Sequence, residues 1–474
     1  MHNYKYKTMS RETLMKKTKY IFEKKEVNVV ILLHLLTFEI ITIQYEYRNL
    51  WIDEKWEEFP EDLLKILLEK RFLVACDEDD CNLLKMAYQK FGKNKLKVPN
   101  IVIYLTNECN LRCSYCYSGY ENDKKIENIT KNDIDKIFNS IDIIYQQGNY
   151  LKEKPIISLF GGEPLLLSNK DNIDYIIKKL NKKNYDYFEI VTNLINVRLF
   201  EDIINNFSGE MSFRVTINGD EQLHNNMRKF PNGKGTYKTT FKNIHFVLNN
   251  IENATIDLTI LIDNQINVQK VKSLFCDLEE YGFLDNSRIR IRFGHIQFRS
   301  NYVCSGFENR VLDVSKYYPM LFDFAKKIPN ITDNMIKGSS MYILKEIYQS
   351  LIDNEKVVVP NFTGCGAVYP GRYCFFTDGK IYPCFDCVGM DGFEIGEYRE
   401  NLIFYEEYLK WKNFRVSELE KCNNCKFVAV CNGGCLISNK SKEGSLYNVH
   451  CEKVAESFES ILDYWYKEGM FNEI

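Results

Sequence analysis

The chain has 474 residues, with 62 basic against 65 acidic side chains and a net charge of −3. That length exceeds one ordinary core and predicts two to four units, of which a barrel could use about 200–250 residues. Near-neutral charge without a long basic run argues against nucleic acid as the main partner. Met1 to Lys25 lacks the apolar core of a signal peptide, and the one apolar candidate span, Val27 to Ile43, is interrupted by His34 and Glu39. The expectation is a cytoplasmic protein with no membrane partner. Sixteen Cys would be poor disulfide material there, and ten of them fall into two spaced clusters, which points to metal or cofactor ligation.

Residues 1–97 read as a first unit. Val27 to Tyr47 predicts two short strands, Glu57 to Val74 an amphipathic helix entering after Pro60, and Cys81 to Phe91 a second helix. Strands followed by such helices form a winged-helix-like pattern, whose natural binding mode is to take an extended peptide onto an exposed strand edge. Cys76 and Cys81 flank an acidic stretch and are read as ordinary residues.

From residue 98 to about 300, strand patterns alternate with helix patterns. The strands are Ile101–Thr106, Ile156–Phe160, Phe188–Thr192, Met211–Ile217, Thr255–Ile262 and Ile289–Phe298, with helices such as Thr130–Gln147 and Asn172–Lys182 between them. Six β/α repeats predict an α/β fold, a partial (β/α)6 TIM barrel with its site at the C-terminal ends of the strands. The first strand empties into Cys109-x3-Cys113-x2-Cys116. Thiolate ligands of iron–sulfur clusters usually come in fours, so three on one loop suggest a cluster with one iron open for chemistry. Zinc sites favour paired Cys-x2-Cys spacing and fit this loop poorly. Gly161-Gly162-Glu163-Pro164 follows the second strand, where the glycines permit close backbone approach to a ligand. Thr192-Asn193 follows the third, and Thr216-Ile217-Asn218-Gly219 the fourth, with His224 and Arg228 beyond. A local structural hydrogen bond is the preferred reading of His224.

Residues 301–360 read as a helical bridge, Val314 to Ile352, without a chemical motif. Residues 361–474 carry Cys365-x13-Gly379-x4-Cys384, then Cys422-x2-Cys425-x5-Cys431-x3-Cys435 and Cys451. Phe376 to Cys384 reads as a hairpin turning at Asp378-Gly379. A zinc site is the alternative for the four-Cys cassette.

The Cys109–Cys116 spacing, with Tyr115 before the third Cys, resembles the radical S-adenosylmethionine (radical SAM) superfamily, and the seven-Cys pattern resembles its C-terminal SPASM extension. The resemblance implies a 4Fe-4S cluster on Cys109, Cys113 and Cys116, and S-adenosylmethionine held by Tyr115, Gly161, Gly162, Glu163, Asn193, Thr216 and Arg228. Related enzymes have Ser-x-Asp-Gly where this chain has Thr216 and Asn218, so the family carboxylate is lost at Asn218. Two auxiliary 4Fe-4S clusters are implied, one on Cys422, Cys425, Cys431 and Cys451, the other on Cys365, Cys384 and Cys435. For the latter, Cys387 or Cys374 supplies a fourth ligand, or the iron stays open to a substrate thiolate. The front unit is similar to leader-peptide recognition elements of enzymes that modify ribosomally made (RiPP) peptides.

Together these imply a maturase that takes hydrogen from a precursor peptide and closes a crosslink, foremost a Cys thioether, served by a low-potential donor such as flavodoxin or ferredoxin. An anaerobic sulfatase-maturating enzyme is the alternative. Those relatives place a general-base Asp directly after the hairpin Cys, where this chain has Phe385 and then Asp386. A non-catalytic zinc or iron–sulfur peptide-binding scaffold is the alternative of another class.

Overall fold

The computed structural model describes residues 14–76, 80–91, 98–116, 127–148, 150, 154–296, 310–337, 362, 365–368, 371–451 and 454–467. At the front, β2 (Ile21–Lys25), β3 (Val29–His34) and β4 (Ile40–Gln44) form an antiparallel meander, and β1 (Met15–Lys17) pairs with β5 (Leu73–Ala75). Helices Tyr45–Ile52, Glu61–Glu69 and Asp80–Phe91 accompany them. The apolar run of β3 is buried on both faces, as side-chain alternation requires when both sides of a strand are covered. Val30 and Leu32 join a small core with Trp51, Trp56, Leu67 and Phe72, whereas Ile31 and Leu33 face the main core.

The strands expected between Val27 and Tyr47 are β3 and β4. The Lys-rich β1 and β2 lack a clear apolar alternation and were not expected. The helix expected over Glu57–Val74 is confined to Glu61–Glu69, because Arg71 takes a positive φ of 62° and turns the chain into β5.

β6 (Asn100–Tyr104), β7 (Ile157–Phe160), β8 (Tyr187–Val191), β9 (Glu210–Ile217), β10 (Ala254–Ile262) and β11 (Ile289–His295) pair in chain order, all parallel. Outward residues such as Ile103, Leu159, Ile190, Val215 and Leu258 are buried under the crossover helices. The helix Lys131–Gln147 starts with a capping box, in which Thr130 Oγ1 accepts from Asp133 N (3.1 Å) and Asp133 Oδ2 accepts from Thr130 N (2.8 Å).

The Cys-rich region continues the barrel sheet. β12 (Arg372–Phe375) lies parallel to β6, and β13 (Lys380–Tyr382), β14 (Gly396–Glu397) and β15 (Ile403–Phe404) extend it antiparallel to ten strands. The expected hairpin turn is present, with Gly379 at φ 88°. Of the helical bridge, Val314–Lys327 and Asp333–Lys337 are described, and the remainder lies outside the described residues. The helix Val454–Lys467 stacks Tyr464 on Phe322 (4.5 Å, 11°) and meets the front unit through Phe22–Phe458 (5.9 Å) and Lys24–Asp463. No helix among the described residues is long and apolar enough to cross a membrane.

Candidate active site

β6 ends at the thiol loop. Arg112 Nη1 donates to the carbonyls of Cys109 and Leu111, both at 2.9 Å, and the buried Leu111 anchors the loop below. Arg112 N donates to Lys229 O (2.8 Å) and Ser114 N to Met227 O (3.0 Å). These bonds strap the loop to the segment after β9 and bring Arg228 beneath it. Burial pushes the Cys109 and Cys113 thiols up, and the three thiols lie close enough to raise one another further. Thiolates gathered in such a place need cationic iron to offset them. No group of three His, Cys, Asp or Glu among the described residues is placed to hold a metal ion; the fit to a cluster rests on the donor chemistry of this loop.

Gly161 and Gly162 bring the β7 loop against that thiol loop. Gly162 N donates to Thr106 O and Glu163 N to Glu108 O, both at 2.9 Å. A Cβ at Gly162 would lie 2.1 Å from Glu108 O, and one at Gly161, where φ is 152°, 2.4 Å from Thr106 O. The close approach expected toward a ligand is therefore an approach to the backbone that carries Cys109. Gly162→Ala is expected to destabilise the protein by about 1–3 kcal/mol, because the clash is with backbone that cannot step aside. A thermal melt and the iron retained after reconstitution check this.

The Glu163 carboxylate is buried and spans two strand ends. Oε1 accepts from Thr192 Oγ1 (2.5 Å) and Leu165 N (2.9 Å), and Oε2 from Asn193 N (2.7 Å). Burial pushes its carboxyl up, while these bonds and Arg228 pull it back. Asn193 Nδ2 in turn donates to Asn110 Oδ1 (2.7 Å). Glu163 and Asn193 thus hold the β7 and β8 loops to the thiol loop.

A second network centres on Arg228. Its Nη1 donates to the Tyr115 hydroxyl (2.6 Å), which donates to Asn218 Oδ1 (2.9 Å). Asn218 is fully buried, and its Nδ2 has no hydrogen-bond partner among the described residues. Burial opposes the Arg228 charge, but Tyr115, Cys113 and Cys109 around it more than offset this and keep it protonated. His224 Nδ1 accepts from Asn218 N (3.3 Å), so Nε2 carries the proton toward Thr236 Oγ1 (3.0 Å), whose hydroxyl donates to Arg228 O (2.9 Å). Burial, and then Arg228, drive His224 far below its ordinary range. It is a neutral brace, as expected. The Asn218 amide donor, without a partner among the described residues, and the charged Arg228, set beside the thiols, fit a ligand that carries a carboxylate.

Thr216 stands half-buried on β9, opposite Thr259 of β10, on the inner face that also carries Arg214. That face bears a polar ladder: Ser158 Oγ donates to Glu189 (2.5 Å), Glu189 pairs with Arg214 (2.7 Å), and Asp257 pairs with Arg214 (3.7 Å) and Arg292 (3.3 Å). It lines a cavity of about 630 Å3, closed on one side by Arg372 and Phe385.

Among the C-terminal cysteines, Cys374, Cys384 and Cys387 are buried near one another, and burial followed by their neighbours raises the Cys387 thiol. Cys387 Sγ donates to Cys384 O (3.2 Å). Cys365 is exposed, and Cys435 is half-buried at the start of the helix Leu436–Glu443. Cys422 is pushed up to about 11 by burial, then by Cys425 and Cys451. Asn432, Gly433 and Gly434 all take positive φ, which folds the chain from Cys431 back to Cys435. Asp386 lies 3.8 Å from Cys384 Sγ, half-buried, while Phe385 is the residue that faces the cavity. Thr192, Thr236 and Arg372 were not singled out from sequence as site residues. Only Thr192, at a strand end beside Asn193, carried a local signal.

A parallel sheet with its thiols at the C-terminal edge places this chain among enzymes that hold an iron–sulfur cluster at the mouth of a barrel. The model of the radical SAM superfamily matches residues 103–270; the chain carries a radical SAM domain and is a radical SAM enzyme. Its cofactors are a 4Fe-4S cluster and S-adenosylmethionine. The chain is similar to a cysteine-type anaerobic sulfatase-maturating enzyme of Clostridium perfringens, 23% identical over 365 residues, 74% of this chain and 92% of the relative. Its fold is similar to the solved structure of native anSMEcpe with bound AdoMet and Kp18Cys peptide (TM-score 0.56, 17% identity, 79% of this chain and 98% of that one). It is also similar to that of Streptococcus suis SuiB bound to precursor peptide SuiA (TM-score 0.56, 16% identity, 92% of this chain and 99% of that one).

Proposed function

We propose that this radical SAM enzyme is a cytoplasmic peptide maturase that takes hydrogen from a ribosomally made precursor and installs a crosslink, foremost a thioether from a Cys sulfur. The cluster and S-adenosylmethionine supply the reductive cleavage and the 5'-deoxyadenosyl radical. On the chain's side, Cys109, Cys113 and Cys116 hold the cluster. Arg228 forks onto the methionine carboxylate, Thr216 offers a hydroxyl from the inner face of β9, and Tyr115, Glu163 and Asn193 keep the loops around Arg228 in place. The C-terminal cysteines hold auxiliary clusters, of which Cys384 adjoins Phe385 of the cavity wall, and these grip a substrate sulfur or withdraw an electron. A flavodoxin- or ferredoxin-type donor supplies electrons.

The observation that carries this reading is the extent of the likeness to SuiB, a protein solved with its precursor peptide, which spans 92% of this chain against 79% for anSMEcpe. An added front unit suits recognition of a leader. The meander β2–β3–β4 offers strand edges onto which an extended peptide can be taken.

Formylglycine formation is the second reading, favoured by the sulfatase-maturating relative. The side chain directly after Cys384 is Phe385, which stacks on Phe160 (6.3 Å) and faces the cavity. No base stands at the position where those relatives are expected to carry one. Anaerobic co-expression with the short open reading frame beside the gene, followed by mass measurement, separates the two. Each crosslink removes two hydrogens, whereas formylglycine formation from Cys also removes sulfur. An unaltered peptide, with a neighbouring sulfatase converted instead, overturns the maturase reading.

A further inference from the structure

Arg372 opens β12, the strand that joins the Cys-rich region to the barrel, and pairing in the sheet fixes its Cα opposite Asn100. Its Nη1 donates to Cys384 Sγ at 3.7 Å. Its Nη2 lies 3.8 Å from where a Cβ on Gly366, the residue after Cys365, would stand. The Phe385 ring covers the guanidinium at 4.6 Å, and the same side chain lines the barrel cavity. The cation is therefore wedged between two cysteine-bearing segments and the barrel interior.

Arg372 is half-buried, and a guanidinium partly withdrawn from water is unfavourable unless an anion balances it. The acceptor that its Nη1 faces is the Cys384 sulfur, and the other cysteine-bearing segment lies against its Nη2. A neutral thiol at that distance supplies an acceptor but no charge. Thiolates bound to iron can supply it. The placement of Arg372 makes sense when the sulfur beside it is anionic.

We propose that Arg372 is the counter-ion and sulfur hydrogen-bond donor of an auxiliary 4Fe-4S cluster on Cys365 and Cys384, and that it sets the reduction potential of that cluster. This rests on the reading above that these cysteines hold a cluster. Iron–sulfur potentials are governed by net charge, hydrogen bonds to sulfur and solvent exposure. Reduction adds an electron to an already anionic centre, so a fixed cation stabilises the reduced form more than the oxidised one. The Phe385 ring limits screening by water and so strengthens the effect. Arg372 is thus a positioning residue that acts through the cluster.

The test is an anaerobic redox titration read by electron paramagnetic resonance, on the full chain in a Cys113→Ala, Cys425→Ala background that silences the first cluster and the auxiliary cluster on Cys422, Cys425, Cys431 and Cys451. Iron is counted before any change at Arg372. Arg372→Gln is expected to lower the reduction equilibrium constant at least tenfold, a potential about 59 mV more negative for one electron. Arg372→Lys keeps the charge and is expected to fall between the two. A cluster lost in the Gln variant but kept in the Lys variant supports the same role. An unchanged potential in Arg372→Gln, or loss of the cluster in both variants, overturns it. If the parent chain holds no auxiliary cluster iron, the ligand assignment has failed first, and the iron count shows this separately from any effect of Arg372.

Discussion

Cys113→Ala is expected to stop release of 5'-deoxyadenosine when the reconstituted, reduced protein is given S-adenosylmethionine. Cys113 is the middle thiol of the loop, coupled to Cys116 and to Arg228, and two thiols cannot hold a cluster that three hold with one iron open. The loss should exceed the ~10- to 100-fold typical of removing an outer partner of a metal site, and the iron count should fall by one cluster. The fold should survive, because the loop remains strapped by Arg112 N to Lys229 O and Ser114 N to Met227 O, neither of which uses the thiol. Retained turnover in the pure variant would show that the chemistry starts elsewhere.

Arg228→Met is expected to weaken S-adenosylmethionine binding without removing the cluster. A charge-assisted hydrogen bond to a carboxylate contributes ~1.5–3 kcal/mol, which converts to a rise in Kd of about 10- to 150-fold. Tyr115→Phe provides the contrast. It removes the hydroxyl that takes the 2.6 Å bond from Arg228 and gives the 2.9 Å bond to Asn218, but leaves the charge. Its Kd should rise by about 2- to 12-fold, the value of an ordinary hydrogen bond of ~0.5–1.5 kcal/mol. Equilibrium dialysis of the reconstituted, unreduced proteins measures both. Equal, small effects would mean that Arg228 serves the loops rather than the ligand.

The barrel was readable because its signals are local. A strand buried by helices on one side needs an apolar face, and each of β6 to β11 shows it within a few residues. Thr130 and Asp133 likewise announce a helix start through a box completed three residues apart. The front unit was read less well, because β1 and β2 carry Lys and Glu beside few apolar side chains. Their pairing with β5 and β3 is stabilised by partners that local pattern cannot name. The glycines after β7 were recognised as a close approach, but what they approach is decided by the β6 loop, more than fifty residues earlier in the chain.

From the order of its residues alone, the chain determines which side chains can do the chemistry: three thiols on one loop, a glycine pair, an Arg after the fourth strand, and a Cys-rich tail. Covalent spacing is enough for that, since neighbours along a loop stay neighbours in space. Tertiary structure alone decided that β12 docks beside β6 and so puts Arg372 and Phe385 at the cavity wall. It also decided that Glu163 binds loops together and that the Asn218 amide donor has no partner among the described residues. Hydrogen bonds between segments hundreds of residues apart depend on how the sheet closes, and closure follows from burial summed over the whole core.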